Sequence, residues 1–186
     1  MACCHYLLWE DFMTHADATC SVESLITRLA DAIAAAHGRD GDVVLVGIQR
    51  RGVDIARRLM PLLEGRMTAT PRFGSLDINF YRDDWTTIQG KPVIGTSSIP
   101  GSLEGALVIL VDDVLFSGRT IRAALEALND YGRPRAVRLA VLVDRTGHRD
   151  LPIQADYAGI AVQTERSQHV DVLLRERDGE DAVRIA

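Results

Sequence analysis

The sequence predicts an α/β fold, a mostly parallel sheet flanked by helices, and two strand-loop-helix units together with the overall composition carry that expectation. Leu107 to Val111 and Val43 to Ile48 (VVLVGI) are uninterrupted apolar runs rich in β-branched residues, the pattern of parallel strands covered on both faces. Each runs straight into a loop containing glycine and then into residues spaced as one face of a helix. The 186 residues are 47% hydrophobic and 25% charged, enough for one well-buried core.

Composition also bounds the partners and the compartment. A formal charge of −5 argues against a surface that attracts nucleic acid everywhere and leaves room only for a local basic patch. No apolar run approaches the length of a membrane span, and the first residues lack a signal peptide's basic region and long apolar core, so a cytoplasmic address with no membrane partner is expected. The cysteines, Cys3, Cys4 and Cys20, give no disulfide framework. A metal cluster of Cys3, Cys4 and His5 would need a matching second cluster that the sequence lacks.

Taken in order, residues 1–22 are weakly periodic and read as an N-terminal extension, with Met13 a candidate start, while 23–186 read as a single domain. Leu25, Ile26, Leu29 and Ile33 predict a helix from Val22 to His37, N-capped by Ser21 or, more weakly, Ser24, and stopped near Gly38. The strand Val43–Ile48 meets Gln49, Arg50, Arg51 and Gly52 before a helix expected over Val53–Leu63. Such a loop can bring backbone amides and a guanidinium to a diphosphate. Leu76, Ile78 and Phe80 alternate with Asp77 and Asn79 and predict a half-buried strand. Residues 82–105, interrupted by six glycines and prolines, predict a long flexible loop of the kind that forms lids.

The stretch VILVDDVLFSGRT, residues 108–120, is the chemical centre. Asp112 and Asp113 fall at the carboxyl end of the strand, where open α/β sheets hold ligands. Gly118 permits close approach of backbone to ligand, and the first amides of the following helix lack internal acceptors, which suits a phosphate. The hydroxyls of Ser117 and Thr120 add donors, and the acid pair can accept from vicinal hydroxyls or orient a hydrated Mg²⁺. A sugar phosphate satisfies both ends; the plain alternative is helix-capping hydroxyls beside two solvated carboxylates. Ile121, Ala124, Leu125 and Leu128 continue as a helix closed by Gly132 and Pro134. Ala136–Val143 is a further strand ending in Asp144 and Arg145, followed by a Gly- and Pro-bearing loop and a short strand. Val170, Val172 and Leu174, then Val183 and Ile185, predict a C-terminal β-hairpin around DGED.

The central string resembles the phosphoribosyl pyrophosphate (PRPP) motif of type I phosphoribosyltransferases. DVLFSGRT with YGRP and VLVDRTGHRDLPIQADYAG resembles, within them, the bifunctional family of pyrimidine-operon attenuators and uracil phosphoribosyltransferases, from about Ser24 to the C-terminus. The resemblance implies a type I phosphoribosyltransferase fold with a small hood, and transfer of a phosphoribosyl group from PRPP to uracil, giving UMP and pyrophosphate. It implies Asp112, Asp113 and Arg82 as catalytic residues, Arg82 opening the flexible loop through YRDDW. Ser117, Gly118, Arg119 and Thr120 would hold the 5′-phosphate, Gln49, Arg50, Arg51 and Gly52 the pyrophosphate, and Val143, Asp144 and Arg145 the base and hood. Mg²⁺ would arrive with PRPP and meet Asp112 and Asp113 through water, with no direct protein ligand. Partners implied are PRPP, uracil, UMP or UTP, a second copy in a dimer or higher oligomer, and pyrimidine-operon leader RNA.

Thr27, Arg28, Arg145, His148 and Arg149 are the RNA-contact candidates of this resemblance. Against strong RNA binding stand Asp31 where the family often has histidine, Gln154 and Ile160 where basic residues are common, and Thr146, which looks like an insertion. His148 read as a general base is outweighed by a loop histidine's usual hydrogen-bonding role. Rival readings are a purine or orotate phosphoribosyltransferase, which would share the phosphate-binding residues, and a mainly RNA-binding regulator with little activity. A phosphoacceptor receiver domain would need its acid pair near the first strand and a later lysine, whereas the one lysine here is Lys91.

Overall fold

The computed structural model describes residues 21–81 and 96–186. Helix α1 (Val22–His37) starts where Ser21 Oγ accepts from the Ser24 amide at 3.2 Å. Ser24 Oγ returns a bond to the Ser21 carbonyl at 2.8 Å, so both ends of the turn are satisfied and the helix has a defined first residue. Val22, Leu25, Ile26, Leu29, Ala30 and Ile33 all bury, as the spacing predicts.

Five strands form one parallel sheet: β1 (Val43–Ile48), β2 (Arg72–Leu76), β3 (Leu107–Leu115), β4 (Ala136–Thr146) and β5 (Tyr157–Gln163), in the order β2-β1-β3-β4-β5. Helix α2 (Arg51–Glu64) follows β1, and α3 (Arg119–Leu128) follows β3. The period-two alternation of the strands sorts the core into two layers. Leu45, Ile109 and Val111 face α1 and α2 with Leu29, Ile33, Ile55 and Leu59, while Val44, Val46, Val108 and Leu110 face α3 with Ile121, Ala124 and Leu128. Burying each such leucine or isoleucine contributes about 2 kcal/mol, so the central strands are the most strongly held part of the molecule.

The chain leaves β1 toward β2 and leaves β3 toward β4, so strand order reverses between β1 and β3. Loops therefore diverge at the carboxyl ends of those two strands and open a crevice there. Both phosphate-loop candidates, 49–52 and 112–120, lie at that edge.

Several boundaries differ from expectation. The second strand is Arg72–Leu76, not Leu76–Phe80. Asp77 Oδ1 takes the Asn79 amide at 2.9 Å, which diverts the backbone into a single 3₁₀ turn over Asn79–Tyr81. Helix α2 starts two residues before Val53, at Arg51. The expected lid is partly anchored: Ser98 bridges Ser75 on β2, Arg72 holds the Ser102 carbonyl at 3.2 Å, and Leu103 is fully buried. Arg82 and the remainder of that loop, like the N-terminal extension, lie outside the described residues.

The C-terminal hairpin is β6 (Val170–Leu173) paired antiparallel with β7 (Ala182–Ile185), with one helical turn, α4 (Arg175–Asp178), between them. Among the described residues no helix is long and apolar enough to cross a membrane.

Candidate functional site

Two glycines bring the crevice together. A Cβ on Gly47 would lie 2.5 Å from the Val53 Cα, and one on Gly52 would lie 2.3 Å from the Val111 carbonyl oxygen and 3.2 Å from the Asp112 Cα. The first turn of α2 thus packs its backbone directly against the end of β3. The peptide between Gln49 and Arg50 is cis, the Gln49 amide donates to the Leu76 carbonyl at 2.9 Å, and Gln49 Nε2 donates to the Thr96 carbonyl at 3.2 Å. Loop 49–52 is consequently fixed at both sides and lies against the acid pair.

Asp112 is 6% exposed, and its Oδ1 accepts the Asp113 amide at 3.0 Å. Asp113 Oδ1 accepts the Val114 amide at 2.9 Å, and its second oxygen has no partner among the described residues. Both carboxylates are oriented by the backbone of the strand that carries them. Strand β3 runs on to Leu115, beyond the expected end at Val111, so the acids are part of the strand rather than of a loose loop.

The anion loop turns at Gly118, whose φ of 91° lies in the left-handed region that a side chain would strain. Ile153 and Leu151 cover that glycine, 3.3 and 3.5 Å from where its Cβ would stand. Ser117 Oγ accepts from the Arg119 amide at 3.4 Å, a long bond that a better acceptor would displace. With Thr120 in the first turn of α3, the loop offers amides and hydroxyls to one anion. The Arg119 side chain turns outward to Asp150, 3.3 Å away.

Behind this loop stands a scaffold that sequence reasoning assigned differently. Arg149 donates to the carbonyls of Leu115 at 3.2 Å, Arg145 at 2.8 Å, Ile153 at 3.1 Å and Phe116, and pairs with Asp144. It ties the end of β3, the end of β4 and the covering segment into one unit. Arg145, expected at the base and at RNA, is only 4% exposed. Its guanidinium bonds Thr164 Oγ1 at 3.1 Å and the carbonyls of Glu165 and Gln168 at 3.2 and 2.9 Å, and it lies 4.0 Å from the Phe116 ring centre. Burial pushes its pKa below the usual arginine value. Val143 is likewise fully buried in the sheet, so its side chain faces the core and no base. Of the expected hood residues, Asp144 is half-buried beside Leu115, the last residue of β3. His148 donates to the Thr164 carbonyl at 2.5 Å and leans on Phe116, as a hydrogen-bonding loop residue does.

The RNA candidates are not gathered into one patch. Arg28 is exposed on α1 and Thr27 Oγ1 is bonded to the Glu23 carbonyl at 2.9 Å, but Arg145 and Arg149 direct their charge inward. Asp31 pairs with Arg66 at 2.9 Å, and Thr146 closes β4 opposite Gln163 without disturbing the ladder. Arg51, expected at the pyrophosphate, donates to Asp178 at 3.1 Å, leaving Arg50 as the exposed cation of its loop. No sequence signal marked Phe116, Thr164 or Asp178, whose partners lie far away along the chain.

Comparison with known proteins is consistent with this geometry. The family described as the phosphoribosyl transferase domain matches residues 18–177. A bifunctional protein PyrR from Desulfosudis oleivorans is 50% identical over 165 residues, covering 87% of this chain and 90% of the relative. Another, from Streptomyces coelicolor, is 54% identical over 164 residues, covering 87% and 83%. Among solved structures, a hypoxanthine-guanine phosphoribosyltransferase from Bacillus anthracis shares the fold at a TM-score of 0.61 and 16% identity, covering 84% of this chain and 88% of that one. A purine phosphoribosyltransferase from Pyrococcus horikoshii does so at 0.56 and 25% identity, covering 77% and 84%.

Proposed function

The chain belongs to the phosphoribosyl transferase domain family, among the bifunctional PyrR proteins, and from that membership we propose that it transfers the 5-phosphoribosyl group of PRPP to uracil, forming UMP and pyrophosphate. The observation that carries the reading is the close apposition, through Gly52, of a diphosphate-type loop to a strand end bearing two oriented carboxylates and an anion loop.

In this reading the amides and hydroxyls of Ser117, Gly118, Arg119 and Thr120 hold the 5′-phosphate. Asp112 and Asp113 accept from the ribose hydroxyls, and the free oxygen of Asp113 is the stronger candidate for that bond. The backbone of Gln49 to Gly52 and the Arg50 guanidinium take the diphosphate. As the bond from ribose to pyrophosphate lengthens, the sugar becomes electron-poor, and two carboxylates fixed beneath it stabilise the positive charge without reorganising. The base enters at the carboxyl end of β4, on the side of Asp144. The donor set suits Mg²⁺ carried by PRPP: Asp112 and Asp113, the latter with a free oxygen, would hold a hydrated ion through water, and the ion would neutralise charge on the leaving diphosphate. Phosphorus NMR of protein, PRPP, Mg²⁺ and uracil tests the proposal; conversion to pyrophosphate and UMP supports it, and an unchanged PRPP spectrum on adding uracil rejects it.

A second function, binding of pyrimidine-operon leader RNA under the control of uridine nucleotides, is what the resemblance to pyrimidine-operon attenuators implies, and the relatives' description as bifunctional agrees with there being one. Because Arg145 and Arg149 are committed internally, RNA affinity here rests on Arg28 and on pooling of basic residues from further copies in an oligomer.

A further inference from the structure

We propose that Arg177, in the C-terminal turn, is a positioning residue for the pyrophosphate loop, an assignment that rests on the phosphoribosyl-transfer reading above. Asp54 lies in the first turn of α2, two residues beyond Gly52, and is only 4% exposed. A buried carboxylate beside a loop that must accept a diphosphate opposes that ligand unless a cation cancels it. Arg177 supplies the closer cation: its Nε donates to Asp54 Oδ2, while Arg57 stands 4.0 Å from Oδ1, and the terminal nitrogen of Arg177 reaches the Arg50 carbonyl at 3.4 Å. Of the two guanidiniums, Arg177 alone also touches the backbone of the loop itself.

Neighbouring side chains converge on the same helix. Every charged residue of Arg175–Asp178 is paired: Arg175 with Asp181 at 3.5 Å, Glu176 with Arg58 at 2.8 Å, Arg177 with Asp54, and Asp178 with Arg51 at 3.1 Å. Three of those four pairs cross to α2. The turn is a clamp on the helix that presents the loop, while the 5′-phosphate loop is carried by β3 and α3 and held by Arg149. The clamp therefore acts on one phosphate subsite and spares the other.

That separation makes the proposal testable with the full-length protein. PRPP occupies both subsites, whereas UMP carries the 5′-phosphate without a diphosphate. Calorimetric binding of each, with Mg²⁺, is compared for wild type, Arg177→Ala and Arg177→Lys, with thermal melts alongside. Arg177→Ala is expected to weaken PRPP about tenfold while UMP stays within about twofold, because a displaced loop loses only the contacts it makes. Arg177→Lys keeps the charge but cannot reach both acceptors, so PRPP should weaken about threefold with UMP unchanged. The lysine variant decides the matter if the alanine variant does not fold. Unaltered PRPP affinity in either variant, or equal weakening of PRPP and UMP, overturns the assignment. A wild type that binds neither ligand overturns the functional reading and this proposal together.

Discussion

Gly52→Ala is the perturbation whose consequence is most directly calculable. The new methyl carbon would stand 2.3 Å from the Val111 carbonyl oxygen, against an ordinary contact range of 3.4–4 Å, and the obstacle is backbone of a central strand rather than a flexible side chain. Strand β3 is hydrogen-bonded on both sides and fully buried there, so α2 must retreat, by about 1 Å. Overpacking of this kind costs roughly 1–3 kcal/mol, which for a chain this size lowers the melting temperature by about 2–12 °C. The retreat carries Gln49 to Gly52 away from Asp112, and a displacement of about 1 Å in a positioning group costs on the order of a hundredfold in rate. Steady-state pyrophosphate release and a thermal melt read the two effects separately. A Gly52→Ala protein with kcat/KM for PRPP within about twofold of wild type would refute the reasoning that this contact sets the crevice.

Other perturbations isolate single groups. Asp113→Asn keeps the size but removes the anion beneath the ribose, so turnover should fall by about ten- to a hundredfold with the melt unchanged; loss of stability instead would make the acid structural. Arg145→Ala strands Thr164 Oγ1 and two carbonyls and removes the stack on Phe116, and should cost about 2–4 kcal/mol seen by denaturant unfolding, with no change in the salt dependence of RNA binding; a stable variant that binds RNA less would restore it as an RNA contact. The Arg58 guanidinium holds the Glu176 and Asp181 carboxyls below their ordinary values of 4.5 and 3.8. Depressed carboxyl pKa values give stability that is complete above the unfolded values and is lost as pH falls from there through the lower folded ones, so wild type should lose stability more steeply than Arg58→Met below about pH 4, and parallel acid melts would contradict the clamp. Leader RNA should bind weakly and lose affinity steeply as salt is raised; tight binding that survives added salt would show that the missing basic residues matter little.

The central motif was legible because local pattern alone determines it. A β-branched apolar run of this length reads as a covered strand, Gly118 marks the left-handed turn of the motif, and Ser21 marks the start of α1. Where a side chain competes with the ladder the pattern misleads: Leu76, Ile78 and Phe80 alternate as a strand would, yet Asp77 bonds the Asn79 amide and ends β2. Charged residues were the least legible. Nothing in DRTGHRD shows that Arg145 will be buried under Thr164 and Phe116 or that Arg149 will collect four carbonyls, because their partners are set by tertiary packing. The same holds for RERD at 175–178, whose charged side chains are paired with residues up to 127 positions earlier in the chain.

The base is the point on which the account depends most, since every phosphate contact would serve a purine or orotate enzyme equally well. The most direct test supplies PRPP and Mg²⁺ with an equimolar mixture of uracil, orotate, hypoxanthine and adenine and identifies the nucleotides formed by mass spectrometry. UMP formed with uracil consumed and the other three bases untouched is the predicted result; nucleotide formed from hypoxanthine or adenine, or orotidylate formed from orotate, would contradict it.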